Sequence, residues 1–106
     1  MNNNIDNLFS LSGKIVVITG AVGLLGEKHA EAVAAYGGTP VLLDLSQTAV
    51  DLLAEKLNKQ YRVNAVGFSV DITNESKVKL VSDEVFKRFG KIDGLVNNAA
   101  NNPKVE

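Results

Sequence analysis

The chain has 106 residues, of which 45% are hydrophobic, and its mean hydropathy lies near zero. These values are typical of a small globular domain, or of part of a larger one, and they argue against disorder. Acidic residues outnumber basic residues by 12 to 11, and neither kind forms a block. The composition therefore favours neither nucleic acid nor an anionic membrane as a partner.

The chain contains no cysteine and one histidine, so disulfides, a thiol nucleophile and thiolate metal ligands are excluded. We expect no metal site. The asparagine-rich start carries no cationic segment followed by an apolar stretch, and therefore does not look like a secretory signal. No apolar run approaches the roughly 20 residues that a membrane helix needs. We therefore expect a cytoplasmic protein that does not enter the membrane.

Strand and helix patterns alternate from about residue 14 to the end of the chain. Ser46 is a plausible N-cap for the second helix, and Gly90 ends the third. Right-handed crossovers between parallel strands then predict a doubly wound α/β sheet of the Rossmann type, with strand order 3-2-1-4. The predicted strands cover residues 14–19, 40–44, 63–70 and 94–97, and the predicted helices cover residues 24–36, 47–59 and 75–89.

The predicted sheet looks incomplete. Its fourth strand lies at an edge, where a parallel strand without a neighbour leaves backbone groups and apolar side chains exposed. The residues that follow this strand are too few for a further helix and strand. We therefore expect residues 13–106 to be part of a Rossmann domain whose C-terminal half lies outside this chain. Residues 1–12 are expected to form an N-terminal leader.

The most informative segment is the glycine-rich turn after the first strand. A β-branched run ends at Thr19 and is followed by Gly20, Gly23 and Gly26, where a helix begins. Glycines allow a sharp turn and a close approach of the backbone, and a helix N-terminus offers unpaired N–H groups to an anion. This order predicts a site for the pyrophosphate of a dinucleotide. The residues expected to contact it are Gly20, Val22, Gly23, Leu24, Leu25 and Gly26.

An acid ends the second predicted strand. A carboxylate at this position, Asp44, can accept hydrogen bonds from the adenosine ribose, and its charge repels the 2′-phosphate of NADP. The neighbouring Leu45 and Ser46 are uncharged, so no basic group awaits that phosphate. We therefore predict NAD as the cofactor, with Asp44 and Leu45 in its site. The alternative is that Asp44 only caps the turn before the second helix.

Two more polar segments follow strands at the same predicted edge of the sheet. Asp71 and Ile72 come after the third strand, where a carboxylate would lie beside the adenine. The alternative role of Asp71 is that of a turn or capping residue before the third helix. Asn98, Ala99 and Ala100 follow the fourth strand, and their small side chains would let the backbone pass close to a ribose or the nicotinamide.

In combination these motifs resemble those of the short-chain dehydrogenase/reductase family. In that family a TGxxxGxG turn, an acid after the second strand, an aspartate after the third and an NNAG segment after the fourth bind the dinucleotide. The matching positions are Thr19–Gly26, Asp44, Asp71 and Asn97–Ala100. The resemblance implies an NAD-dependent oxidoreductase that transfers a hydride between the nicotinamide and a carbonyl or secondary alcohol of a small molecule. It also implies a homo-oligomer when the protein is complete.

The chain departs from the family pattern at two positions and leaves two alternatives open. Leu24 replaces the second glycine of the turn, and this spacing also matches the extended subfamily, whose members are sugar-nucleotide epimerases and dehydratases. Ala100 replaces the glycine of NNAG. The family's catalytic serine and Tyr-x-x-x-Lys pair would lie beyond Glu106, so no catalytic residue is assigned and this chain alone is expected to be inactive. A non-catalytic NAD-sensing or scaffold protein is the other alternative.

Overall fold

The computed structural model describes residues 10–98. Strands and helices alternate in it as the sequence predicts, and the third helix and fourth strand have the predicted bounds. The elements are β1 (Ile15–Thr19), α1 (Leu24–Ala35), β2 (Thr39–Asp44), α2 (Gln47–Tyr61), β3 (Val66–Ser69), α3 (Glu75–Phe89) and β4 (Gly94–Asn97).

The four strands form one parallel sheet in the order β3-β2-β1-β4, which confirms the predicted topology. The register places Val17 of β1 opposite Val41 of β2 on one side and Leu95 of β4 on the other. Because all strands are parallel, their carboxyl ends meet at one edge, where a ligand site is expected in an open α/β sheet.

Helices cover both faces of this sheet, as a doubly wound fold requires. Successive side chains of a strand point to opposite faces, so β1 contributes Ile18 to one buried cluster and Val17 to the other. The Ile18 cluster is completed by α1 and α2, including Ala30 and Leu57. The Val17 cluster is closed from the opposite side by α3, whose Val85 is 1% exposed.

The helix ends explain where the structure differs from the sequence prediction. Ser46 is the N-cap of α2 as predicted, because its hydroxyl accepts a hydrogen bond from the Ala49 N–H at 3.1 Å. The same helix runs two residues further than expected and ends at Tyr61, and its C-cap Arg62 adopts the left-handed conformation with φ 57°. The strand that follows is shorter than the predicted 63–70, because the Asn58 side chain, not β2, holds both backbone groups of Ala65.

The Ser46 cap can be tested by substitution. We expect Ser46→Ala to lower the free energy of unfolding by about 1 kcal/mol, since the N–H of Ala49 loses its acceptor. Ser46→Asp keeps an acceptor at this position and should stay within a few tenths of a kcal/mol of the wild type. Urea unfolding followed by circular dichroism measures both. Equal losses for the two variants would show that the cap bond is not what stabilises this turn.

Candidate functional site

A cavity of about 410 Å³ opens at the carboxyl edge of the sheet. Segments that follow all four strands contribute to its wall. Eight of the residues predicted to bind a dinucleotide are among those lining it. The full lining is Gly20, Val22, Gly23, Leu43, Asp44, Leu45, Val70, Asp71, Ile72 and Asn98.

The glycine turn brings the start of α1 close to the end of β1. Gly20 has φ 62°, a left-handed conformation that side chains disfavour. Gly26 lies so close to this turn that a Cβ atom there would overlap the carbonyl oxygen of Gly20 and lie 2.8 Å from its carbon. A Cβ at Gly23 would instead make an ordinary contact of 3.5 Å. Gly26 is therefore required by packing inside the protein, whereas Gly23 leaves space on the cavity side.

The first turn of α1 presents backbone donors toward this region. Gly23 is the N-cap, and because glycine has no side chain, no side-chain hydrogen bond caps the helix. The first N–H groups of a helix lack acceptors within it and carry a partial positive charge. The side chains of Leu24 and Leu25 are 83% and 55% exposed. Leu24, Leu25 and Gly26 do not line the cavity, so Gly23 is the part of this helix start that borders it.

Asp44 joins the end of β2 to the glycine turn. Its Oδ2 accepts a hydrogen bond from the Val22 N–H at 3.0 Å, and its Oδ1 accepts one from the Leu45 N–H at 2.8 Å. The carboxylate thus stabilises the turn, and Ser46 caps α2 instead. Each carboxylate oxygen can still accept a second hydrogen bond from the cavity side.

Asp71 begins the turn that leads from β3 into α3. Its Oδ1 accepts hydrogen bonds from the Thr73 hydroxyl at 2.7 Å and the Thr73 N–H at 2.9 Å. These bonds, the hydroxyl first, lower the pKa of Asp71 below its usual value. The N-cap of α3 is Asn74, so Asp71 is a turn residue that also borders the cavity as an anion.

Side chains at and just after the end of β4 tie this strand to the end of β1. Asn98 is 7% exposed, and its Nδ2 donates to the Gly20 carbonyl at 3.3 Å. The Thr19 hydroxyl donates to Oδ1 of Asn97 at 3.1 Å. The glycine turn is therefore held from two sides, by Asp44 and by Asn98. Ala99 and Ala100, which the sequence also placed in the site, lie outside the described residues.

Two lining residues were missed by the sequence analysis. Leu43 and Val70 are almost completely buried, at 6% and 5% exposure, and each precedes an aspartate of the site. They give the cavity an apolar part. Their position at the ends of buried strands could have indicated that they line the site. Apolar residues at strand ends, however, look the same in sequence as the apolar residues of the core.

The family of the chain follows from comparison with known proteins. A family model described as short chain dehydrogenase matches residues 14–106. The chain belongs to this family. Its motifs therefore lie on the family's fold in the predicted order, with the glycine turn after β1 and the two aspartates after β2 and β3.

Individual relatives cover nearly all of this chain but only part of their own length. A sorbose reductase of Candida albicans is 37% identical over 92% of the chain, which spans 34% of that protein. The crystal structure of L-sorbose reductase from Gluconobacter frateurii, in complex with NADPH and L-sorbose, has a TM-score of 0.85 at 31% identity. Its alignment covers 92% of this chain and 37% of the other.

A third relative was solved with a different cofactor. It is a protein of Haemophilus influenza described as a D-mannonate oxidoreductase, with NAD bound. The TM-score is 0.78 at 29% identity, and the alignment covers 87% of this chain and 32% of the other. The chain thus spans about one third of the length of the relatives it resembles.

Two other features are absent from the residues that the structure describes. Between residues 10 and 98 no group of three or more His, Cys, Asp or Glu side chains is placed to hold a metal ion. Within the same range, no helix has both the length and the apolar character needed to cross a membrane.

The two glycines of the turn should respond differently to alanine. Gly26→Ala should lower the free energy of unfolding by about 1–3 kcal/mol, because the new methyl group overlaps the Gly20 carbonyl. Gly23→Ala should cost less than about 1 kcal/mol, since its methyl group meets only an ordinary contact. Urea unfolding of the two variants compares them. A larger loss for Gly23→Ala would contradict the assigned packing.

The low pKa of Asp71 depends on Thr73. We expect Thr73→Val to raise the pKa of the Asp71 carboxyl, because the hydroxyl donor is its largest cause, whereas Thr73→Ser should leave the pKa low. A carboxyl whose pKa is lower in the folded than in the unfolded state stabilises the fold at pH values above its unfolded-state pKa. This stabilisation is lost as the pH falls through the folded-state pKa. In Thr73→Val, the free energy of unfolding should therefore depend less on pH in the acid range where Asp71 titrates. Carboxyl NMR titration measures the pKa, and an unchanged value would refute the role of the hydroxyl.

Proposed function

We propose that this chain forms the NAD-binding part of an oxidoreductase that moves a hydride between the nicotinamide and a carbonyl or secondary alcohol. One observation carries the proposal. Gly23 at the N-terminus of α1, Asp44, Asp71 and Asn98 surround a single cavity at the carboxyl edge of the sheet. The partial positive charge of the helix start suits the anionic pyrophosphate of a dinucleotide, and the carboxylates suit its hydroxyl-rich ribose.

The pyrophosphate would bind at the turn between β1 and α1. Backbone N–H groups at Leu24, Leu25 and Gly26 belong to the first helical turn, where no intrahelical acceptor is available. The absence of a side chain at Gly23 leaves room for phosphate oxygens to approach. The partial positive charge of the helix start favours the anion.

The adenosine would lie between the ends of β2 and β3. Asp44 can accept from ribose hydroxyls, with its geometry set by the bonds to Val22 and Leu45. Asp71 and Ile72 would border the adenine. None of the described residues lining the cavity is basic, so a 2′-phosphate would face carboxylates without a compensating cation. These features favour NAD over NADP.

The relatives support a nicotinamide cofactor without choosing between its two forms. The L-sorbose reductase structure contains NADPH, and the D-mannonate oxidoreductase structure contains NAD. The choice of NAD for this chain therefore rests on Asp44 and on the lack of a basic residue among the described residues that line the cavity. The names of these relatives favour a polyhydroxylated carbonyl compound as the substrate. Cytoplasmic location and a homo-oligomeric state stay predictions.

Cofactor choice can be tested by direct binding. Titration of the full-length protein with NADH and NADPH, by calorimetry, should show tighter binding of NADH. Asp44→Asn removes the charge, so the ratio of the NADPH Kd to the NADH Kd should fall by about tenfold or more. This is the usual effect of losing a hydrogen bond to a charged group. Asp83→Asn is the matched control, because Asp83 is an exposed acid on α3 outside the cavity. Equal affinities of the wild type for both cofactors would remove the case for NAD.

Hydride transfer is tested separately. The full-length protein should oxidise NADH with ketoses, whereas residues 1–106 alone should show no turnover, because the family's catalytic serine and Tyr-x-x-x-Lys pair are expected beyond Glu106. Binding of NADH without oxidation of ketoses or simple ketones would support the sensor alternative. Activity on nucleotide sugars would support an extended-subfamily epimerase or dehydratase. Turnover by residues 1–106 alone would overturn the assignment of catalysis to residues beyond Glu106.

A further inference from the structure

The outer edge of β3 is satisfied by a side chain of α2. In a parallel strand successive residues direct their backbone groups alternately to the two sides. The Val70 N–H donates to the Asp44 carbonyl of β2 at 2.8 Å, so Gly67 and Ser69 face away from β2. These outward groups would otherwise be exposed at an edge of the sheet.

Gln47 replaces a neighbouring strand at this edge. Its Oε1 accepts from the Ser69 N–H at 3.0 Å, and its Nε2 donates to the Gly67 carbonyl at 3.1 Å. The same Nε2 donates to Oδ1 of Asp51 at 2.8 Å, one turn along α2, which orients the amide. One carboxamide therefore satisfies a donor and an acceptor of β3, as a peptide group of a further strand would.

This contact continues into both walls of the cavity. The Ser69 hydroxyl donates to the Leu45 carbonyl at 2.7 Å, which joins the end of β3 to the end of β2. Leu45 lines the cavity on one side, and Val70 and Asp71, next to Ser69 in sequence, line it on the other. Gln47 itself is not in the lining. Its amide holds the two walls together from outside.

We propose that Gln47 is a positioning residue for the adenosine part of the cofactor, acting through Ser69 and Leu45. The inference rests on the proposed function, because it concerns the same cavity. Gln47 sets the separation of the Asp44–Leu45 and Val70–Ile72 segments. Without its amide, the Ser69 end of β3 keeps its ladder pairing with β2 and the Val70 and Ser69 bonds but loses its tie to the start of α2, so the spacing of the two aspartates is held less tightly.

Asn58 provides a control within the same helix. Its Oδ1 accepts from the Ala65 N–H at 2.6 Å and its Nδ2 donates to the Ala65 carbonyl at 3.0 Å. The contact is thus of the same kind as that of Gln47, and it is partly buried where the Gln47 contact is exposed. It lies at the opposite end of β3, and neither Asn58 nor Ala65 lines the cavity.

The experiment compares Gln47→Met with Asn58→Ala in the full-length protein. Methionine keeps the length of glutamine and removes both hydrogen bonds. Three quantities are measured: the midpoint of urea unfolding, the Kd for NADH by calorimetry, and the Kd for AMP as a probe of the adenosine part. If activity is present, the KM for NADH and kcat are added.

We expect the two variants to separate stability from binding. Gln47→Met should weaken NADH and AMP by about three- to tenfold, the size expected for the loss of one or two hydrogen bonds, and should raise KM with little change in kcat. Asn58→Ala should lower the unfolding midpoint more, because its bonds are partly buried, and leave both Kd values within twofold. A purely structural role would make binding follow stability in both variants.

Failure of the inference can be distinguished from failure of the proposed function. If the wild type and Gln47→Met bind NADH with the same affinity, the role of Gln47 is overturned while the proposed cofactor site stands. Equal weakening by Gln47→Met and Asn58→Ala also overturns it, since binding then follows stability. If the wild type binds neither NADH nor NADPH, the proposed function is overturned, and the role of Gln47 is overturned with it.

Discussion

The site depends on the close approach of α1 to the end of β1. A side chain at Gly26 would overlap the Gly20 carbonyl, and Gly20 itself adopts a left-handed conformation that permits the turn. This tight passage lets α1 begin at Leu24, shortly after β1 ends at Thr19. The interaction is steric and lies within the protein. It also explains the glycine spacing, because Gly23 serves as the N-cap and Gly26 as a packing residue.

The polar side chains of the site first hold the backbone together. Asp44 binds the N–H of Val22, Asn98 binds the carbonyl of Gly20, and Asp71 binds Thr73. Each pairs a polar side chain with backbone or with a neighbour in its own turn, so the cavity wall is arranged before any ligand arrives. Such prior arrangement lowers the entropy cost of binding. The same groups retain acceptor capacity toward the cavity, so their structural role and the proposed binding role are compatible.

Much of the fold was predictable because local patterns and tertiary packing agree. The apolar periodicity of α3 and the glycine after it set the helix bounds that the structure has, Glu75–Phe89. The end of α2 was not predictable, because Arg62 is a residue that rarely adopts the left-handed cap it takes here. The short β3 was missed for a related reason. Asn58 competes for the Ala65 backbone, and a contact between residues of a helix and a later loop leaves no periodic pattern.

The sequence by itself determined the order of strands and helices, the family and the positions of Gly20, Asp44 and Asp71 at strand ends. It could do so because strand periodicity and turn residues act over a few neighbouring positions. The tertiary structure decided which of the predicted residues share one cavity, that Leu43 and Val70 join them, and that Gly26 serves packing. It also decided that Gln47 completes the edge of β3. These contacts join segments far apart in sequence, and their distances depend on how the helices lie on the sheet.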